Sequence, residues 1–132
     1  MSFNPIKSAM HAASSGMNAQ SFRMRVVSEN LSNADTHGYQ RKQISFKNEL
    51  DRISGQNSVQ IKNVTLDRSL GEQLYDPAHP LSDADGYVVM SNVDMMLELA
   101  DAREAGRSYE ANLSTFRQAA QMYSSLIGLL RR

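Results

Sequence analysis

The sequence predicts a mainly α fold, in which segments from the two ends form a discontinuous two-helix coiled coil around a small β-rich insertion. Three observations carry this prediction: a heptad pattern near each end of the chain, and the loss of that period between them. The predicted segments are 1–38, 39–90 and 91–132. At 132 residues, the chain falls within the usual size range of one domain.

The first helix is predicted from about residue 5 to 34, with Pro5 in its first turn, where proline is favoured. Apolar side chains alternate spacings of four and three residues, and only Gln20 is polar. Such a helix would be roughly 45 Å long, which exceeds the need of a small globular core. Asp35 to Gly38 supply its end. The stripe consists of Ile6, Met10, Ala13, Met17, Gln20, Met24, Val27, Leu31 and Ala34.

The middle segment, 39–90, loses the helical period and is predicted to form short strands and turns. Its alternation changes phase near Lys62 and Asn63, which predicts a bulge or bend in a small sheet. The apolar residues that show the change are Val59 and Ile61 before this point, and Val64 and Leu66 after it.

Turns and a last strand are predicted between residues 75 and 90. Pro77 and Pro80 exclude a helix through this stretch. Residues 83–86, Asp-Ala-Asp-Gly, imitate part of a calcium loop, but the acidic ligands needed on either side are missing, so a turn is predicted instead. Residues 87–90 are predicted to form the last strand.

The second helix is predicted to begin after Ser91, which can cap it, with Asp94 near the positive end of the helix dipole. Arg131 and Arg132 suit the negative end. Additional apolar residues widen the stripe beyond a two-stranded seam, which favours packing against several neighbouring helices. The stripe consists of Met95, Leu99, Ala102, Gly106, Tyr109, Leu113, Phe116, Ala120, Tyr123, Ile127 and Leu130.

Composition narrows the possible functions. Lys plus Arg and Asp plus Glu both total 14, so the chain has no net charge and does not resemble a nucleic-acid binder. The halves differ, however, with a net of +4 over residues 1–66 and −4 over 67–132, which suits head-to-tail pairing. A basic neighbourhood is predicted to meet an acidic face of another subunit. It comprises Arg23, Arg25, Arg41, Lys42 and Lys47.

Catalytic and metal-binding patterns are missing from the sequence. Cysteine is absent, which excludes disulfides and zinc-thiolate sites, and His11, His37 and His79 are far apart along the chain. We interpret them as solvated turn histidines and predict no catalytic residue, no metal ligand and no cofactor. No stretch approaches the roughly 18 consecutive apolar residues of a membrane span, and the first thirty residues lack a signal-peptide core.

The segment from residue 28 to 42 reads S-E-N-L-S-N-A-D-T-H-G-Y-Q-R-K and follows the first heptad pattern directly. It resembles the signature of flagellar axial proteins (rod, hook and hook-associated subunits), in which N-L-x-N-A/x-x-T-x-G-Y closes the N-terminal helix. Much of that family has a proline where this chain has His37. The matching residues are Asn30, Leu31, Asn33, Ala34, Thr36, Gly38 and Tyr39.

Four further segments are similar to the FlgC-type proximal rod proteins within that family. They are Y-D-P-A-H-P at 75–80, A-D-G-Y-V at 84–88, S-N-V at 91–93 and Y-E-A-N at 109–112. The motif residues also have a physical role of their own. Polar side chains in the turn can bond local backbone groups, Gly38 can adopt positive φ, and Tyr39 offers a large apolar face. The motif is therefore predicted to end the helix and anchor the chain.

The resemblance implies a non-enzymatic structural subunit of the flagellar basal-body rod, whose copies stack into a hollow drive shaft. It also implies export through the flagellar type III apparatus without a cleaved signal, a periplasmic location, and assembly with other rod proteins and with copies of itself. The terminal segments are expected to be loosely ordered until neighbours cover them. The predicted interaction residues are Ile6, Met10, Met17, Met24, Val27, Leu99, Tyr109, Leu113, Phe116, Tyr123, Ile127 and Leu130.

Two other classes of function stay open at this stage. A coiled-coil adaptor or secretion-system chaperone would also need two amphipathic helices, and it predicts a stable oligomer of fixed size. A periplasmic enzyme that uses acids such as Asp76, Asp83 and Asp85 predicts a formed pocket in the isolated monomer.

Overall fold

The computed structural model describes residues 4–52 and 55–132. The two helices contain 28 and 36 of the 132 residues, so the mainly α prediction is confirmed. Residues 1–3 of the first predicted segment and 53–54 of the middle one lie outside the described residues, and the division into three segments stays a prediction. The elements in chain order are α1 (Pro5–Ser32), β1 (Lys42–Asp51), β2 (Gln56–Leu66), β3 (Gln73–Tyr75), β4 (Tyr87–Val89) and α2 (Met95–Leu130).

Helix α1 begins with Pro5 at its first position, as predicted, and is capped by Asn4. The Asn4 side chain accepts hydrogen bonds from the backbone N–H groups of Ile6 at 3.0 Å and Lys7 at 3.2 Å. These two bonds satisfy donors that have no partner within the helix. The helix ends at Ser32, two residues before the predicted end.

The predicted cap of α2 was wrong. The helix begins at Met95, and its cap is Asp94, which accepts from the N–H groups of Met96 at 2.9 Å and Leu97 at 3.4 Å. Ser91 lies outside the helix and accepts instead from the N–H of Val93. Serine and aspartate cap helices about equally well, and a carboxylate also interacts favourably with the positive end of the helix dipole.

The two helices pack against each other in antiparallel orientation. Asn30 of α1 contacts Glu98 of α2, whereas Lys7, near the start of α1, lies over the ring of Tyr123. The buried apolar side chains in the middle of this contact are small, among them Ala13, Ala19, Ala105 and Ala119. Small residues allow two helix backbones to approach each other closely. Coiled-coil packing in the strict sense stays a prediction.

Gly16 marks a close approach between the helices. A Cβ atom at this position would lie 2.7 Å from Nδ2 of Asn112, whereas one at Gly106 of α2 would meet nothing within 4 Å. We therefore expect Gly106→Ala to raise the free energy of unfolding by about 0.5–1 kcal/mol through helix propensity. Gly16→Ala should give no such gain, because the end of the Asn112 side chain must first move away from the added methyl group.

Urea unfolding of the full chain measures both changes. Asn112→Ala removes the side chain that the added methyl group would meet, so in that background Gly16→Ala should raise the free energy of unfolding. Equal stabilisation by Gly16→Ala and Gly106→Ala would show that the helices do not approach at this point.

Strands β1 and β2 form an antiparallel hairpin that lies against α1. The backbone N–H of Val59 in β2 donates to Oγ of Ser15 in α1 at 3.0 Å. Ser45 pairs with Asn63, but Phe46 pairs with Ile61, so Lys62 is an extra residue in the ladder. The bulge predicted from the change of phase is therefore confirmed at Lys62.

Strands β3 and β4 form a second antiparallel pair, in which Tyr75 lies opposite Tyr87. The predicted last strand is confirmed and ends one residue early, at Val89. The turn before it is closed by Asp83, whose carboxylate accepts from the N–H groups of Asp85 at 3.0 Å and Tyr87 at 2.8 Å. Asp83 is thus engaged in shaping a turn, as expected for this segment.

Candidate functional site

The end of α1, the turn that follows it and the first turns of α2 meet in a set of polar side chains that we call the Asn30 cluster. Two of its members, Asn30 and Glu98, are almost completely buried, at 1% and 0% exposure. Buried polar groups are costly unless they are hydrogen-bonded, so the contacts of these two residues decide what the cluster does. The cluster consists of Asn30, Tyr39, Arg41, Glu98 and Asp101.

Asn30 uses its full hydrogen-bonding capacity. Its Nδ2 donates to the backbone carbonyl of Lys42 at 2.9 Å and to Oε2 of Glu98 at 3.2 Å. Its Oδ1 accepts from the backbone N–H of Lys42 at 2.9 Å and from the hydroxyl of Tyr39 at 3.0 Å. The side chain thus pairs with both backbone groups of Lys42, as a neighbouring strand would. It joins α1, the start of β1 and α2.

Arg41 supplies the positive charge that faces the buried Glu98. Its Nε donates to Glu98, and its Nη2 donates to Asp101 at 3.2 Å. Arg23 of α1 also bonds Asp101, at 3.0 Å, and Glu104 at 3.3 Å. Burial disfavours the charged form of Arg41, but the hydrogen bond and charge of Glu98 outweigh burial and raise the guanidinium pKa above its usual value. The network neutralises the buried carboxylate and ties β1 to both helices.

Asn92, just before α2, forms a second set of hydrogen bonds between distant segments. It was not predicted from the sequence. Its Oδ1 accepts from the backbone N–H of Arg41 at 2.6 Å. Its Nδ2 donates to the carbonyl oxygens of Asp67 at 2.9 Å and Ser69 at 3.0 Å. The approach to α2 is thus bound to the start of β1 and to the loop after β2. The only available signal was its place in the S-N-V segment at 91–93.

The motif turn after α1 has the conformation that its residues favour. Gly38 has φ of +70°, as expected of a glycine in a tight turn, whereas the C-cap of α1 is Asn33. Asn33 donates to the carbonyl of Glu29 at 2.9 Å and accepts from the Thr36 hydroxyl at 3.1 Å. Tyr39 contributes through its hydroxyl as well as its ring, and burial, followed by the charge of Glu29, raises its pKa. Of the motif residues, the structure brings Asn30 and Tyr39 into one cluster.

Four of the five residues of the basic neighbourhood form ion pairs within the chain, and a contact of this neighbourhood with another subunit stays a prediction. The partners of Arg23 and Arg41 come from α2, in the acidic C-terminal half, whereas those of Lys42 and Lys47 come from α1 and β1 in the N-terminal half. The ion pairs are Arg23 with Asp101 and Glu104, Arg41 with Glu98 and Asp101, Lys42 with Glu29, and Lys47 with Glu49. Arg25 lies over the ring of Phe22 at 5.8 Å.

His37 and His79 lie in turns, as predicted, but they are not fully solvated, and His11 is solvated but lies on a helix. The rings of His37 and His79 lie 4.6 Å apart, and both side chains are partly buried, whereas His11 is exposed on α1. Nδ1 of His79 accepts from the backbone N–H of Leu81 at 3.1 Å.

Within residues 4–52 and 55–132, no group of three or more His, Cys, Asp or Glu side chains could hold a metal ion. Neither of the two described helices is long and apolar enough to span a bilayer.

The predicted interaction residues occupy three environments. Val27 is buried, and Leu99 and Leu130 are 45% and 84% exposed. The others are partly buried: Ile6, Met10, Met17, Met24, Tyr109, Leu113, Phe116, Tyr123 and Ile127. Three exposed apolar residues near the end of α2 were not among the predicted residues: Met122, Leu126 and Leu129.

Known protein families match both of the helical regions that the Asn30 cluster joins. Residues 10–40 match the model of the flagella basal body rod protein family, and residues 84–129 match that of the FlgEFG C-terminal region of flagellar basal body rod proteins. The flagellar basal-body rod protein FlgC of Agrobacterium fabrum is 44% identical, over 97% of both chains. The chain belongs to the FlgC family of flagellar basal-body rod proteins.

Other FlgC proteins are similar over most of their length. The protein of Salmonella typhimurium is 36% identical over 83% of this chain and 87% of its own. That of Bacillus subtilis is 34% identical over 80% of this chain and 85% of its own. This member of the FlgC family is a structural subunit of the flagellar basal-body rod. Its Asn30 cluster holds together the two helical regions that the rod-protein family models cover.

Proposed function

We propose that the chain assembles into the proximal rod through the outer faces of α1 and α2, in contact with other rod proteins and with copies of itself. It acts without catalysis, as one part of a hollow shaft in the periplasm, after export by the flagellar type III apparatus. One observation carries the proposal: α2 keeps large apolar side chains exposed at both of its ends while it packs on α1.

The exposed apolar residues of α2 lie in its first turns and its last three turns. Leu97 is 57% exposed near the start, and Leu126, Leu129 and Leu130 are 48%, 67% and 84% exposed near the end. Lys7 lies over Tyr123, and Ile6 borders the same groove as Leu126 and Leu129, so the exposed leucines lie where α1 begins. Fully burying one such side chain contributes about 1.5–3 kcal/mol, so a neighbour that covers several of them gains substantial free energy.

The small residues between α1 and α2 support the same conclusion. Alanine side chains bury little apolar area, and most of the large apolar side chains of both helices stay partly or fully exposed. A two-helix unit of this kind gains most of its remaining apolar stabilisation when other helices pack on it. The proposal therefore includes further ordering of the helices on assembly.

The experiment replaces two exposed apolar residues, Leu126→Asp and Leu129→Asp, in the full chain. We expect this variant to fold and to lose incorporation into the rod at least about tenfold, because a charge without a partner in a packed contact is costly. Incorporation is measured in basal bodies isolated from a flagellated host that lacks its own FlgC. These two positions are preferable to the partly buried Leu113 and Phe116, whose replacement would also disturb the helix pair.

The matched control is Ser124→Asp, an exposed position on the same turns of α2. It adds a charge without removing an apolar side chain and should leave incorporation unchanged. Normal incorporation of the double leucine variant would contradict the proposal. A stable oligomer of fixed size, formed by the purified chain and insensitive to both leucine changes, would instead favour an adaptor.

A further inference from the structure

Charge is divided sharply along the second half of the chain. Residues 69–102 contain seven Asp or Glu and no Lys or Arg, whereas residues 103–132 contain five Arg and two Glu. Of the seven acids, Glu98 and Asp101 pair with arginines, and Asp94 caps α2. The other four form no ion pair within the described residues. They are Glu72, Asp76, Asp83 and Asp85, in and beside the β3–β4 pair.

Two tyrosines form the centre of an exposed surface on this strand pair. Tyr75 and Tyr87 lie opposite each other and therefore point to the same face, with ring centroids 5.3 Å apart. They are 63% and 41% exposed, and Leu81, at 66%, borders the same shallow cavity as Tyr87. We call Tyr75, Leu81 and Tyr87 the tyrosine patch. Its acidic rim consists of Asp76, Asp83 and Asp85.

The complementary surface is on α2. Arg103, Arg107 and Arg117 are exposed, and at about 100° per residue they lie within roughly 80° of one another around the helix axis. Ala105 and Ala119, which face α1, lie on another side of α2. None of the three arginines forms an ion pair with another described residue, in contrast to Arg23 and Arg41. We call these residues the arginine stripe.

We propose that the tyrosine patch of one copy docks on the arginine stripe of a second copy of this chain. Guanidinium groups stack on tyrosine rings and bond carboxylates, so one row of arginines fits both the centre and the rim of the patch. The contact joins two different surfaces, which leaves one free patch and one free stripe on each pair of copies. Repetition therefore extends the assembly without closing it.

This inference rests on the proposed assembly function and adds a specific contact between copies. The patch variant is Asp76→Lys/Asp85→Lys, which reverses the rim and spares Asp83 because its carboxylate shapes the turn. The stripe variant is Arg103→Glu/Arg107→Glu. Self-association of each full-length protein is measured by sedimentation over a range of concentrations at low and high salt.

Each variant alone is expected to associate at least about tenfold more weakly than the natural chain, because like charges then face each other. An equimolar mixture of the two variants should recover association to within about threefold, since each reversed surface finds an opposite charge on the other protein. High salt should weaken the association of the natural chain. The matched control, Arg131→Glu/Arg132→Glu, makes the same charge change at the end of α2 and should have no effect.

Several results would overturn the contact. The contact is excluded if either variant associates as strongly as the natural chain, or if the mixture does not recover association. It is also excluded if the natural chain does not associate with itself. If the charge variants enter rods normally while Leu126→Asp/Leu129→Asp does not, the assembly proposal stands and this inference fails. If the charge variants associate with themselves normally but fail to enter rods, the patch binds a different rod protein.

Discussion

Replacement of Asn30 by alanine is expected to lower the free energy of unfolding of the full chain by about 3–5 kcal/mol. The change leaves both backbone groups of Lys42, the Tyr39 hydroxyl and one oxygen of Glu98 without their Asn30 partner. An unsatisfied buried polar group costs about 1–3 kcal/mol, and this side chain serves the fully buried Glu98 together with three partly buried groups, each of which costs less to expose. Urea unfolding, followed by circular dichroism, measures the loss.

Asn18→Ala is the matched control, because Asn18 is an exposed asparagine on the same helix. Alanine favours helix more than asparagine does, so this control should leave stability unchanged or raise it by a few tenths of a kcal/mol. A loss from Asn30→Ala no larger than about 1 kcal/mol would mean that the four bonds do not form together in solution.

Arg41→Met is expected to lower the free energy of unfolding by about 3–5 kcal/mol, because it leaves the carboxylate of Glu98 buried and without its cation. The double variant Arg41→Met/Glu98→Leu should recover most of this loss. Replacement of a whole buried ion pair by apolar side chains is often neutral or stabilising. Thermal and urea unfolding of the two variants and the natural chain test this expectation.

Lys47→Met provides the comparison for an exposed ion pair. Lys47 and Glu49 are 46% and 47% exposed, so their ion pair contributes at most about 0.5–1 kcal/mol. If Arg41→Met cost no more than Lys47→Met, water would reach Glu98, and its burial would not hold in solution. Failure of the double variant to recover would indicate that the bond from Asn30 to Glu98 matters more than the charge.

Features that depend on neighbouring residues could be predicted from the sequence. The lengths of both helices follow from apolar spacing, and the bulge at Lys62 follows from a change of phase visible in the residues on either side. The positive φ of Gly38 follows from the residue type and its place after the helix. In each case, the cause lies within a few residues of the effect.

Features that depend on distant partners could not be predicted. Asn30 was singled out by its motif, but its partner Glu98 is 68 residues away, and no spacing rule connects them. The same holds for Arg23 and Arg41, whose partners Asp101 and Glu98 are 78 and 57 residues away in the same chain. His37 and His79 are brought together by two turns in a similar way. The identity of the α2 cap was missed for a different reason, since two good cap residues compete three positions apart.

The pairing of Asn30 with both backbone groups of Lys42 has a mechanical consequence. Two hydrogen bonds with a common side chain, backed by the buried carboxylate of Glu98, restrain rotation of α1 about its axis relative to β1. Torque applied to the helices is therefore transmitted to the hairpin, because the connection between them is not a flexible linker. In this rod subunit, such torsional rigidity makes the helix pair and the hairpin rotate together.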